Sequence, residues 1–496
     1  MKLGETIPNW LRKRADISPE RVAVEFENKT YTFKQLDSMA ERYAKKLDGR
    51  GIEKGDTCGV LVRNHIDSIA ILHGLFYLGV RVVFLNNRLT AHEMAWQLED
   101  SNAKWLVTEE FFKEKLESIN SDNRNLGSMT KESIETYPEA EKTAILKEFN
   151  LSDPATIMYT SGTSGTPKGV IQTFGNHWWS AMGSSLNLGL HDNDCWYCAV
   201  PIFHISGLSI LMRSVIYGMK VILAERFEEE EANRAIKEKG VTIISVVSAM
   251  LNRMLLQLED SAYPDTFRCM LLGGGPAPIH LLEECKRLGI PIFQTYGMTE
   301  TSSQIVTLPP EDSLRKIGSA GKPLFPSQLR IEIDGREAMP NEAGEIAVSG
   351  PNVTGGYLNR PEATIKSIRE GWLYTGDIGY LDDEGFLFVL DRRSDLIISG
   401  GENVYPAEIE SVISHHPAIF EAGITSQKDE RWGEVPVAFV VLHEGEKLTE
   451  QELIAYCKER LAPYKIPKRV IFSEALPRNS SNKLLRRELK NRLENV

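Results

Sequence analysis

Between residues 57 and 272 the chain alternates short apolar runs of strand character with stretches of helical spacing, and this alternation narrows the possible folds more than any other feature. Thr57–Val62, Val80–Leu85, Trp105–Thr108, Ala155–Tyr159, Lys220–Leu223, Val241–Val247 and Cys269–Leu272 read as strands. Phe33–Leu47 brings Leu36, Met39, Ala40 and Tyr43 to one helical face, and Thr90–Leu98 reads as another helix. Strands joined by helical crossovers pair in parallel with helices on their faces, so the pattern predicts an α/β fold built on largely parallel sheets. The most apolar stretch, Ile69–Leu85, contains His73, Gly74, Gly79 and Arg81 and is short for a membrane span. It reads as a buried helix, a turn at Gly79 and a strand. Residues 119–150 are polar and read as a surface connector.

From about Ile317 the pattern changes to short strands separated by turns: Leu329–Ile333, then Asp334-Gly335, Gly344–Val348 and Gly385–Leu390. That spacing predicts a small β-rich, mostly antiparallel subdomain. The charged segment Asp391-Arg392-Arg393-Ser394-Asp395 lies between apolar strands and is the candidate domain boundary. It divides the 496 residues into an N-terminal domain, 1–393, and an α+β C-terminal domain, 394–496.

A net charge of −12 argues against a broad nucleic-acid footprint. Six scattered cysteines suit a reducing compartment, and the start, Met-Lys-Leu-Gly-Glu-Thr-Ile-Pro, has no signal-peptide core, so a cytoplasmic location without a membrane span is expected. Cys195 and Cys198 form a C-x-x-C with no second ligand pair at zinc-site spacing, and read as inert thiols of a buried strand.

The strongest chemical signal is Tyr159-Thr-Ser-Gly-Thr-Ser-Gly-Thr-Pro-Lys-Gly169, which follows a strand. Thr160, Ser161, Gly162, Thr163, Ser164, Gly165 and Thr166 combine small size with hydroxyls, and Lys168 adds a cation. Small residues let backbone N–H groups approach phosphate oxygens. The spacing of Gly162, Gly165 and Lys168 is not that of a Walker A loop.

This segment resembles the phosphate-binding signature of the adenylate-forming superfamily, which includes acyl-CoA synthetases, adenylation domains and firefly-type luciferases. Ser164 stands where the family usually has Thr. Further segments match in order, through residue 483. Tyr296-Gly297-Met298-Thr299-Glu300 resembles the family's aromatic–Gly–x–Thr–Glu motif. Tyr296 offers a ring face for adenine, Thr299 a hydroxyl for the α-phosphate, and Glu300 a hard oxygen ligand for Mg²⁺. Gly273-Gly274-Gly275-Pro276 resembles the nucleotide-pocket loop, Asp377 in Tyr-Thr-Gly-Asp the ribose carboxylate, and Arg392 its neighbour. The resemblance implies that Gly400 and Gly401 swing in for the thioester step, that Ser394 occupies the hinge position usually held by Asp or Lys, and that Lys483 is the catalytic lysine. Asn482 replaces the Gly usual before that lysine. The C-terminal domain is then mobile, and the chain an acid–thiol ligase that activates a small carboxylic acid with ATP and Mg²⁺ and transfers it to coenzyme A.

Pro201–Leu208 lies where this family builds the acyl pocket, which makes His204 a catalytic and substrate-binding candidate. Arg213 sits in an otherwise mainly apolar helical stretch, Leu208–Tyr217. A buried arginine needs an anionic partner, either a structural carboxylate or a second carboxylate on the substrate. Runs outside the general motifs, including Gln172–His177, Pro201–Leu208 and Ser302–Thr307, resemble one branch of the superfamily whose acid carries two carboxylates. The competing readings are a fatty- or aryl-acid CoA ligase and, in a different class, a luciferase-like oxygenase. Oligomeric state is left open.

Overall fold

The computed structural model describes residues 5–122, 125–160, 167–258, 261–275, 277–392, 395–399, 402–429, 432–461, 463–478 and 484–494. Its first sheet runs in the order Lys168–Thr173, Pro154–Thr160, Arg81–Phe84, Thr57–Val60, Trp105–Thr108, Gly127–Thr130. Every pairing is parallel except that of Lys168–Thr173 with Pro154–Thr160, the two arms of the Ser/Thr/Gly loop. The apolar stretch before residue 85 resolves as expected: a helix, Ile66–Leu78, a left-handed turn at Gly79 (φ 73°) and a strand, Arg81–Phe84. No helix among the described residues is long and apolar enough to cross a membrane.

The second sheet holds fifteen strands among the described residues. Its parallel half places Cys195–Cys198 between Ile243–Val246 and Lys220–Leu223 and continues through Cys269–Leu272 to Ile292–Met298. All four residues of Cys195–Cys198 are buried, and burial pushes both thiols up to about 12, which keeps them protonated and unreactive. From Ser303–Leu308 onward the sheet turns antiparallel and takes in the β-rich subdomain, so that subdomain shares hydrogen bonds with the parallel half. The C-terminal strands form their own five-stranded sheet, with Gly433–Leu442 paired to Ile419–Asp429 on one side and to Arg469–Phe472 on the other.

The connector expected over 119–150 is instead structured. It contains the end of the helix Lys113–Asp122, the edge strand Gly127–Thr130 and the helix Lys131–Thr136. An edge strand needs partners for its backbone on one side only. Gly-Ser-Met-Thr pairs with Trp105–Thr108 and buries only Met129 and Thr130, so it carries no apolar signature.

Candidate active site

The strand Ile292–Met298 ends in a short 3-10 turn, Thr299–Thr301, and the chain returns as the antiparallel strand Ser303–Leu308. A bulge after Tyr296 lets this return occur. Gly297 makes it possible, because a Cβ there would lie 2.0 Å from the Ser303 carbonyl oxygen. The Tyr-Gly-Met-Thr-Glu motif therefore sits at the rim where the parallel half of the sheet gives way to the antiparallel half.

Here the structure brings the separate motifs together. The Tyr296 hydroxyl donates to Asp377 Oδ2 at 2.7 Å, which joins the expected adenine-facing ring to the expected ribose carboxylate. Asp377 is 7% exposed, donates its backbone N–H to Thr375 Oγ1, and lies opposite Arg392 in the strand register. Glu300 is half-buried and accepts at Oε1 from the Tyr357 hydroxyl at 3.1 Å. The Lys168 ammonium lies 5.2 Å from the centre of the same Tyr357 ring, a cation–π contact. Tyr357 thus touches both the loop lysine and the motif glutamate. In the sequence only the pair of glycines before it (Gly355, Gly356) hints at this residue. Gly273, Gly274 and Gly275 follow the strand Cys269–Leu272. Thr160 closes the strand that leads into the loop. Ser161, Gly162, Thr163, Ser164, Gly165, Thr166, Pro276, Ser394, Gly400, Gly401 and Lys483 lie outside the described residues.

The two residues expected on the acyl side, His204 and Arg213, are both positioned by the helix Ile205–Tyr217. His204 is its N-cap residue, half-buried, with its ring 4.6 Å from that of Phe203, and is not the fully enclosed histidine of an ordinary core. Arg213 lies deep in the same helix at 2% exposure. Its Nη2 donates to Ser303 Oγ at 3.3 Å and its guanidinium faces the Trp196 ring at 5.3 Å, while its Nε–H meets no acceptor among the described residues. No carboxylate among the described residues pairs with it, and burial pulls its pKa down from the usual arginine value. The structural-carboxylate explanation for this arginine therefore finds no support. Ser303, which meets both Arg213 and the Ser209 hydroxyl, immediately follows the motif turn, so the two halves of the site share one backbone segment.

The contacts of Tyr296 with Asp377, and of Tyr357 with Glu300 and Lys168, thus gather the described motif residues at one sheet rim, as expected of an adenylate-forming enzyme. Residues 11–358 match the AMP-binding enzyme family and residues 408–483 match the AMP-binding enzyme C-terminal domain, so the chain belongs to the AMP-binding enzymes. It is 58% identical over 485 residues to the 2-succinylbenzoate–CoA ligase of Geobacillus kaustophilus, covering 98% of each chain. Its structure matches the o-succinylbenzoate CoA synthetase (MenE) of Bacillus subtilis in complex with the acyl-adenylate intermediate OSB-AMP, at a TM-score of 0.92 and 50% identity over 98% of both chains. The same enzyme in complex with ATP and magnesium ion matches equally well, at 0.92 and 50%, over 98% of this chain and 100% of that one. This is the dicarboxylate branch that the runs outside the general motifs resemble.

Proposed function

We propose that the protein is a 2-succinylbenzoate–CoA ligase, which joins the acid to coenzyme A through an acyl-adenylate and releases AMP and pyrophosphate, as in menaquinone biosynthesis. The observation that carries this reading is the convergence of Tyr296, Asp377, Glu300, Tyr357 and Lys168 at one rim, beside a buried arginine that pairs with no carboxylate among the described residues. A carboxylate lacks a leaving group. Attack of its oxygen on the α-phosphorus of ATP forms the acyl–O–P bond, breaks the bond to pyrophosphate, and places AMP on the carbonyl as a leaving group. Negative charge builds on the phosphoryl oxygens, so fixed cations and hydroxyls lower the barrier. Lys168 and the Thr299 hydroxyl serve this role from the N-terminal domain, and Lys483 serves it from the C-terminal one. Glu300 would hold Mg²⁺, which neutralises phosphate charge when bound. In the second step the CoA thiol, losing its proton, attacks the acyl carbonyl and expels AMP, with the Gly400-Gly401 loop admitting the pantetheine arm.

His204 borders the acid, and Arg213 pairs with the carboxylate that is not activated. A charge this deeply buried is costly alone and gains an anion when this acid binds. The boundary falls at 393/394, with Ser394 at the hinge between the two steps. The enzyme works in the cytoplasm, where ATP and CoA are both supplied, and cell fractionation tests that location.

With ATP, Mg²⁺ and 2-succinylbenzoate but no CoA, the enzyme is expected to release about one pyrophosphate per active site and hold the acyl-adenylate. Adding CoA is expected to convert it to the thioester, seen by mass. Oxygen uptake after adenylation in place of thioester formation would favour the oxygenase reading.

A further inference from the structure

The three carbonyls of the motif turn and that of Ser302, which follows it, are each held from outside the turn. The Thr299 carbonyl accepts from Gln172 Nε2 at 2.8 Å, Glu300 from the Thr354 N–H at 2.7 Å, Thr301 from Asn352 Nδ2 at 2.9 Å, and Ser302 from the Ser180 hydroxyl at 2.6 Å. The turn needs this restraint. Ser302 (φ 52°) and Ser303 (φ 110°) both lie in the left-handed region that disfavours side chains, and such backbone persists only where its surroundings overdetermine it.

Of the four ties, Gln172 stands at the head of a buried polar chain. It lies on Lys168–Thr173, four residues from Lys168, and pairs directly with Thr156 across the hairpin. A carbonyl can only accept, so the amide nitrogen of Gln172 must face Thr299, and its Oε1 then accepts from the Thr156 hydroxyl at 2.8 Å. With that hydroxyl proton committed, Thr156 Oγ1 accepts from His177 Nε2–H at 2.8 Å, which fixes the imidazole tautomer. Gln172 and Thr156 are fully buried and His177 is 2% exposed, with burial pulling its pKa down to about 4 and keeping it neutral. Every polar atom in the chain from Nε2 of His177 to the Thr299 carbonyl is paired, and a satisfied buried network of this kind rigidifies what it joins.

We propose that Gln172, held by Thr156 and His177, is a positioning residue for adenylation: it fixes the turn bearing Thr299 and Glu300 against the hairpin bearing Lys168, so that the groups meeting the ATP phosphates keep one spacing. The proposal rests on the reading of Thr299, Glu300 and Lys168 as ATP contacts given above. Gln172→Met keeps the side-chain length and removes both bonds. It raises KM for Mg·ATP roughly tenfold, while KM for 2-succinylbenzoate and for CoA stays within about twofold. Because Gln172 acts through the turn, its effect shrinks to about twofold in a Thr299→Ala background. Gln172→Glu supplies a pH readout: its buried carboxyl, when neutral, accepts from Thr156 and donates to Thr299, whereas the carboxylate repels that carbonyl. Relative to wild type, KM for Mg·ATP in this variant therefore rises with pH. Should Gln172→Met fail to fold, Thr156→Val gives the same ATP-selective defect and Thr156→Ser restores wild-type behaviour. Equal rises in all three KM values, full additivity with Thr299→Ala, or no change would overturn the proposal. If Thr299→Ala and Glu300→Gln themselves leave ATP kinetics unchanged, it is the underlying assignment of ATP contacts that fails.

Discussion

Lys483→Ala is expected to slow acyl-adenylate formation by roughly two to three orders of magnitude and to leave thioester formation from supplied acyl-adenylate close to wild type. The asymmetry follows from where the lysine is attached. The residues flanking it pack on the C-terminal sheet: Leu476 and Leu489 are buried with Val437, Phe439 and Val441, and Leu484 lies against them. Arg478 and Leu484 pair across the segment that contains the lysine. Under the proposed mechanism its charge moves with the C-terminal domain relative to the strands that carry Tyr296 and Asp377. In that mechanism one orientation of the domain presents the cation to the step in which pyrophosphate leaves, and another presents the Gly400-Gly401 loop for thiol attack. Rapid-quench measurement of the two half-reactions checks this, and equal loss in both would remove the role assigned to the lysine.

Arg213→Leu is expected to raise KM for 2-succinylbenzoate by about two orders of magnitude and to change KM for a monocarboxylic analogue by no more than about threefold. The size of the effect comes from burial. At 2% exposure water does not screen the guanidinium, and its contacts among the described residues are the Ser303 and Tyr217 hydroxyls and an indole ring. None of them carries a full negative charge. Under the proposed pairing, leucine removes a cation that costs free energy in the empty pocket and gains an anion in the filled one, so the fold is expected to survive while affinity for the dianionic acid falls. Comparable losses with both acids, tracking a lower Tm, would mark Arg213 as a structural residue.

How far the sequence alone reaches is visible in these two residues. Lys483 is readable because its motif is local: the proline and lysine spacing survives without knowledge of the fold. Arg213 could be singled out as a charge in an apolar helix. Whether a carboxylate lay beside it depended on Ser303 and Trp196, 90 residues downstream and 17 upstream in the sequence, and only the fold brings them together. The parallel sheet was legible for a physical reason: strands buried on both faces are continuously apolar, as Cys269–Leu272 is and as Lys220–Leu223 is after its first residue. The edge strand Gly127–Thr130 was not, because pairing holds it in place of burial. The Tyr-Gly-Met-Thr-Glu motif announced its own chemistry, but not the Gln172 bond that holds it, which spans 127 residues. Tyr357 reaches Glu300 over 57 residues and is unremarked in sequence for the same reason.

The identity of the acid separates this enzyme from other AMP-binding enzymes that share its fold. The decisive measurement is kcat/KM for pyrophosphate release with ATP, Mg²⁺ and CoA, comparing 2-succinylbenzoate with benzoate and octanoate, and with the thioester product identified by mass. The structure predicts that 2-succinylbenzoate is preferred by at least about two orders of magnitude and that its CoA thioester accumulates. Preference for either monocarboxylate would contradict the assignment and the pairing of Arg213 with a second carboxylate, while leaving the adenylate-forming fold intact.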